Sequence, residues 1–347
     1  MRKASLVVVV VLLLLGAAAA LALVQLRSQA LAAGPATEDQ KITVAAGSSL
    51  RTVLSQLHDR QLLPHPRLFE LYLRYWHPAT RGGLPSVRKG HYLIPMGLKP
   101  LDILEQLQQG RVILEQFTIV EGWTFTQVRQ ALGRLPVVTH TLEAKDDAGV
   151  MAALDHEDVY PEGRFAPDTY RFAEETTDRE ILQLAYAAQE RILAKAWESR
   201  LTNLPLATPE EALVLASIIE KETGMPKERP RIAGVFVNRL RQGIRLQSDP
   251  TVIYGIRDRY DGDIRTRDLR TDTPYNTYTR SGLPPTPIAM PGSEAIQAAT
   301  HPEPTDAIFF VAVGDGTGGH YFSATLAEHN LAVRRYLERL KRNGTPP

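Results

Sequence analysis

The stretch "TPEEALVLASIIEKETG", Thr208–Gly224, carries a full set of helix signals and one anomaly. Thr208 suits the N-cap, Pro209 the first helical position and Glu211 the capping-box partner. Gly224 suits the stop. Between them Ala212–Ile219 is apolar on almost every face, which describes a helix inside a core rather than on a surface. The anomaly comes at the end, where Glu220, Lys221 and Glu222 follow directly. Glu220 continues the line of Leu213 and Ala216, and Glu222 the line of Leu215 and Ile218. Acidic residues at a helix C-terminus oppose the macrodipole, at a cost of about 0.3 kcal/mol or more each. A carboxyl held in apolar surroundings has its pKa raised, which suits a general acid near neutral pH. Two readings stay open at this point: a solvated helix end, or a catalytic carboxylate. Helical geometry does not say which glutamate a cleft would hold.

The whole chain has 347 residues, is 44% hydrophobic and carries a formal net charge of +1, so it has room for two domains. Balanced charge without like-charged blocks gives no electrostatic case for nucleic acid. The absence of cysteine excludes disulfides, cysteine metal sites and thiol catalysis. With no Gly-rich phosphate loop and no zinc-type histidine spacing, the sequence calls for neither a metal nor an organic cofactor.

After Arg2 and Lys3 comes an uncharged run, Ala4–Leu26, "ASLVVVVVLLLLGAAAALALVQL". As a helix it is about 35 Å long, enough to cross a bilayer core. Ala20 and Ala22 also give an A-x-A-like cleavage site, but signal h-regions are shorter than this run, which favours a retained anchor. The basic residues ahead of it place the N-terminus in the cytoplasm and the body outside. "SQALAAGPATEDQ", Ser28–Gln40, reads as a polar tether of small residues.

Three later segments align without gaps: "ITVAAGSSLRTVLSQL" (Ile42–Leu57), "YLIPMGLKPLDILEQL" (Tyr92–Leu107) and "FTIVEGWTFTQVRQAL" (Phe117–Leu132). Each begins β-prone, turns at a glycine (Gly47, Gly97, Gly122) and continues with helical apolar spacing. The units resemble the LysM-like modules that bind amino-sugar glycans. Beyond them, Val112–Val120 reads as a strand, Thr176–Leu201 and Arg229–Gly243 as helices, and Asp306–Gly316 as a buried strand and turn. Ser281–Gly292, with four prolines, reads as an extended loop of functional length.

Several stretches in one order, "LASIIEKETG", "GVFVNRL", "RLQSDPTVIYGI", "TPYNTYTRSGLPPTPIAMPG" and "GGHYFSATLAEHN", resemble the endolytic murein transglycosylases, the MltG or YceG-like family. "EGWTFTQV" and "EGRFAPDTY" upstream are similar to it as well. The implied fold is α+β: a cytoplasmic tip (1–3), a transmembrane anchor (4–26), a linker (27–40), a small LysM-like βα glycan-binding region (41–110) and a larger mixed α/β catalytic domain (111–340). The implied reaction cleaves peptidoglycan glycan strands between N-acetylmuramic acid and N-acetylglucosamine, and leaves a 1,6-anhydro-muramoyl end. The first glutamate of E-K-E-T, Glu220, is then the single catalytic residue, an acid first and a base afterwards.

An oxocarbenium-like transition state calls for polar groups around the scissile sugar, for which the candidates are Gln247, Asp249, Asn276 and Tyr278. Each also has a structural reading: Asp249 as a turn former, Asn276 as a backbone cap, Tyr278 as packing. Arg245 and Arg280 are candidates for substrate carboxylates or surface charges, and His320 and His329 read as structural. The resemblance further implies contacts with cell-wall synthases and a bacterial cytoplasmic membrane location, catalytic domain in the periplasm. Two alternatives remain. A hydrolytic muramidase would need a second acid, Asp249 or Glu222. A non-catalytic wall-binding scaffold would need only the repeated units.

Overall fold

A computed structural model describes residues 2–76 and 86–342, with side chains from Val9 onward. Arg2 and Lys3, on which the topology reading rests, therefore have side chains outside the described residues. The chain divides into two compact units, Met1–Glu115 with Arg171–Glu174, and Gln116–Tyr170 with Glu175–Pro347.

In the first unit α1 (Arg2–Ala30) is followed by β1 (Gln40–Val44), α2 (Leu50–Asp59), α3 (Pro66–Tyr75), β2 (Gly90–Ile94) and α4 (Pro100–Gln109). The two strands pair antiparallel with Ile42 opposite Tyr92, so equivalent repeat positions face each other across the ladder. Alternation buries Ile42, Val44, Tyr92 and Ile94 against Val53, Leu57, Ile103 and Leu107 of the helices that follow each strand. Gly47 (φ 75°) and Gly97 (φ 71°) make the strand-to-helix turns in left-handed geometry, as the aligned glycines predict.

Among the described residues, α1 is the one helix long and apolar enough to cross a membrane. The segment after it corrects the expectation of a free tether. Ala30 is fully buried in the core of this unit, and Ala36 donates its N–H to Gln61 O. A side chain at Gly34 would clash with Leu62 O. The small residues here serve close packing, not flexibility.

β3 (Leu114–Thr118) and β4 (Thr169–Ala173) pair as a second two-stranded sheet. The second unit then carries α5 (Phe125–Leu132), α6 (Asp147–Ala153), α7 (Asp178–Glu198), α8 (Pro209–Glu222), α9 (Arg229–Arg241), α10 (Asp249–Gly255), α11 (Thr266–Arg270) and α12 (Ser293–Thr300). An antiparallel pair, β5 (Phe309–Ala312) with β6 (His320–Ser323), and α13 (Leu326–Arg342) complete it. The third repeat lies here as β3, Gly122 (φ 76°) and α5.

The opening stretch is the axis of this unit. Every residue from Ala212 to Ile219 is buried, with α7, α9, α10 and α12 packed around α8. Deleting one of these side chains, as in Leu215→Ala, would cost about 2–5 kcal/mol. Three local expectations need correction. Thr208 caps the helix by accepting from Glu211 N, but the Glu211 carboxylate takes Ala207 N rather than the N-cap amide. The helix ends at an extended Thr223 (φ −143°), and Gly224 takes no left-handed turn. β5 is only half-buried, because just one strand pairs with it.

Candidate active site

The last turn of α8 lifts two carboxylates out of the core in different directions, because positions two apart on a helix point about 200° apart. The Glu220 side chain is only 5% exposed. Its Oε1 accepts from Arg229 Nη2 at 2.8 Å and its Oε2 from Gly292 N at 2.9 Å. Burial raises its pKa above the ordinary carboxylate range; the Gly292 N–H and the Arg229 charge oppose that rise, and nearby Glu121 adds to it.

Arg229 is the hub of this cluster. Its Nη2 also donates to Glu121 Oε2 at 3.1 Å, and its Nη1 to Glu294 Oε2 at 2.8 Å. One buried guanidinium thus serves three carboxylates, and its Nε–H has no partner. Sequence reasoning missed Arg229, Glu121, Gly292 and Glu294. A signal did exist: an arginine opening α9 opposes the helix dipole, as the glutamates ending α8 do.

The proline-rich loop holds the cluster in place. Met290 N donates to Trp123 O and Gly122 N to Met290 O, which ties the loop to the "EGWTF" segment. Ser217 Oγ, buried in α8, accepts from Ile288 N at 3.0 Å. Gly292 has an ordinary φ of −71°, so the requirement for glycine is steric. An added Cβ would clash with Glu121 Oε1. Lys221 reaches back to Gly122 O at 3.2 Å. Beside the hub lies a depression of about 630 Å3 lined by Glu294, Pro230, Lys227, Lys195 and His301.

Glu222 faces a second cluster and is not a solvated helix end. Ser248 Oγ donates to its Oε1 at 2.5 Å, and burial together with the Asp249 charge pushes its pKa up to about 7. Here the structure gathers three of the four predicted sugar contacts. Asp249 opens α10 and accepts from Tyr278 Oη at 2.6 Å. Gln247, at φ 52°, accepts from Arg239 Nη1 through Oε1. Both Gln247 and Asp249 are exposed, and Tyr278 is partly so.

Asn276 lies below them, fully buried, and corrects the expectation of a sugar contact. Its Nδ2 donates to Asp268 O, Leu269 O and Thr271 O, and its Oδ1 accepts from Tyr278 N. It closes the C-terminal end of α11 and orients Tyr278, which is the backbone-cap reading.

Arg245 donates to Tyr278 O, and Arg280 binds Asp272 through two hydrogen bonds, so both basic candidates serve the same loop. His320 pairs with Glu228 at 2.7 Å, and His329 stacks on Phe309. Glu162, from "EGRFAPDTY", is a third carboxyl with a pKa pushed up by burial, to about 7. It accepts from Phe125 N and Tyr254 Oη, and is 4% exposed. Among the described residues no group of three or more histidine or acidic side chains is arranged to hold a metal.

The residues that build both clusters fall within one family profile. Over 324 residues the chain is 30% identical to the endolytic murein transglycosylase of Bacillus subtilis (strain 168), covering 87% of each. It is 27% identical over 339 residues to the endolytic murein transglycosylase of Streptococcus pneumoniae (serotype 2), covering 85% of this chain and 58% of that longer relative. The crystal structure of a YceG-like protein from Listeria monocytogenes matches with a TM-score of 0.52 at 28% identity, over 85% of this chain and 99% of that one. The YceG-like profile matches residues 42–335, and the chain belongs to the YceG-like family.

Proposed function

We propose that this protein is an endolytic peptidoglycan transglycosylase, a lyase that cuts glycan strands between N-acetylmuramic acid and N-acetylglucosamine. The observation that carries the reading is Glu220, a buried carboxyl with a raised pKa at the end of a rigid core helix. Burial favours the protonated form of such a group, which gives its proton to the leaving glycosidic oxygen. It then takes the proton from the C6 hydroxyl of the same muramoyl residue as that oxygen closes on C1, forming the 1,6-anhydro ring. One carboxyl acts twice, and water takes no part. The names of the relatives, endolytic murein transglycosylases, support this substrate and reaction.

Gln247, Asp249 and Tyr278 are assigned to the sugar adjoining the cut, on their exposure beside the last turn of α8. Residues 41–110 are assigned to glycan binding as a LysM-like module, supported by the paired βα repeats with their own core. The catalytic part is 111–340. α1 is read as a retained single-pass anchor in the cytoplasmic membrane with the body on its outer face, where cell-wall synthases are accessible partners. A hydrolytic muramidase is the second reading, favoured by the Glu222–Ser248–Asp249 cluster, which supplies further carboxylates at the same helix end.

The test is Glu220→Gln, which keeps size and one of the two acceptor oxygens but carries no transferable proton. Strand cleavage should fall by about 10⁴, since one group serves both steps, with circular dichroism and glycan binding unchanged. Full activity in this variant would remove Glu220 from the chemistry.

A further inference from the structure

The last apolar turn of α1 shares a surface with α3. Leu23, Val24, Leu26 and Arg27 line a depression of about 410 Å3 together with Tyr72 and Trp76. Arg27 is the first charge after Lys3, so it marks where an anchoring helix leaves the hydrocarbon. Leu23 to Arg27 span about 6 Å of helix axis, which fixes the depth of the aromatic side chains beside them. No slack intervenes: α1 continues to Ala30, which is buried in the core of the same unit.

The outward edge of α3 is apolar. Leu71 and Tyr75, one turn apart, are 44% and 67% exposed, and Trp76 is 50% exposed. In water such an edge is an unfavourable patch. At a bilayer surface Tyr and Trp take their preferred position, with ring bodies among the upper acyl chains and polar atoms among the headgroups. Arg27, beside Trp76 in the same depression, adds positive charge complementary to lipid phosphates.

We propose that the C-terminal edge of α3, formed by Leu71, Tyr75 and Trp76, lies in the headgroup layer beside α1 and seats the first unit on the bilayer surface. The inference rests on α1 being a retained anchor. It makes this unit a membrane-bound module, not one carried on a free tether.

The chain has no cysteine, so single labels report without background. The full chain carrying Leu71→Cys or Tyr75→Cys, with Asp258→Cys as an exposed reference, is nitroxide-labelled and reconstituted into phosphatidylethanolamine–phosphatidylglycerol vesicles. Collision rates are read with oxygen, which concentrates in lipid, and with a water-soluble nickel chelate. The oxygen-to-nickel ratio at 71 and 75 should be several-fold higher than at 258. Protein that fails to float with the vesicles would overturn both the anchor and this inference. Protein that floats with labels at 71 and 75 as open to nickel as 258 would overturn the inference alone. Labels shielded from both reagents would also overturn it, because a protein surface would then cover the edge.

Discussion

Arg229 Nη2 stands 2.8 Å from Glu220 Oε1, with both side chains almost wholly buried. An isolated buried pair of this kind would hold the carboxyl ionised. Here the same guanidinium also serves Glu121 and Glu294, so its charge is divided among three carboxylates. Burial raises the Glu220 pKa and Glu121 adds to the rise, while the arginine opposes it and fixes the direction of the carboxyl.

The neighbours of Glu220 should therefore move the pH profile in opposite directions. Activity that needs protonated Glu220 falls as pH rises through its pKa. Glu121→Gln removes a charge that raises that pKa, so the alkaline limb should move to lower pH. The shift should be small, since solvent screens the half-exposed Glu121. Arg229→Gln should move the limb upward, because the Arg229 charge lowers that pKa, and should lower the melting point, because three hydrogen-bonded contacts are lost. Initial rates against pH, with thermal melts, read both effects.

Stability should decline as pH rises from about 4.5 to about 7. Glu162 and Glu222 have an ordinary value of 4.5 when unfolded and about 7 when folded, so the native chain binds more protons across that window. Unfolding then releases protons, and stability drops with pH by at most about 1.4 kcal/mol per unit for each carboxyl. Denaturant melts across the window should show the slope, and Glu162→Gln or Glu222→Gln should each reduce it. A flat profile would contradict the burial of both groups.

Gly163 should resist substitution. It has φ 80°, and a Cβ there would meet Pro287 Cβ at 2.6 Å. Gly163→Ala should lose about 1–2 kcal/mol to the left-handed backbone before any clash is counted. Gly292→Ala should melt near the parent, since the Glu121 side chain can swing away, and should move the alkaline limb in the same direction as Glu121→Gln. Comparing melting points with rates for the two variants separates backbone from site.

The sequence was most legible where periodicity and burial agree. The apolar run of α8, the strand–glycine–helix repeats and the proline-rich loop are all visible as patterns, because each depends on local spacing. The Arg229 cluster was not. Glu121, Glu220, Arg229 and Glu294 come from four separate segments, and only tertiary packing brings them within hydrogen-bond reach. Asn276 shows the opposite limit. Its residue type fits a sugar contact and a backbone cap equally well, and burial decides between them. The segment after α1 reads as a tether by composition, but the same small residues let backbones pack closely.

The most direct test of the central claim is the mass of the products released from purified peptidoglycan strands. If Glu220 takes the proton from the C6 hydroxyl as that oxygen closes on C1, every new muramoyl end is an anhydro sugar, about 18 Da lighter than a hydrolysed one. The account predicts anhydro ends alone, and their disappearance in Glu220→Gln. Ordinary reducing ends would contradict it, and would turn attention to Glu222 and Asp249 as the second acid of a hydrolase.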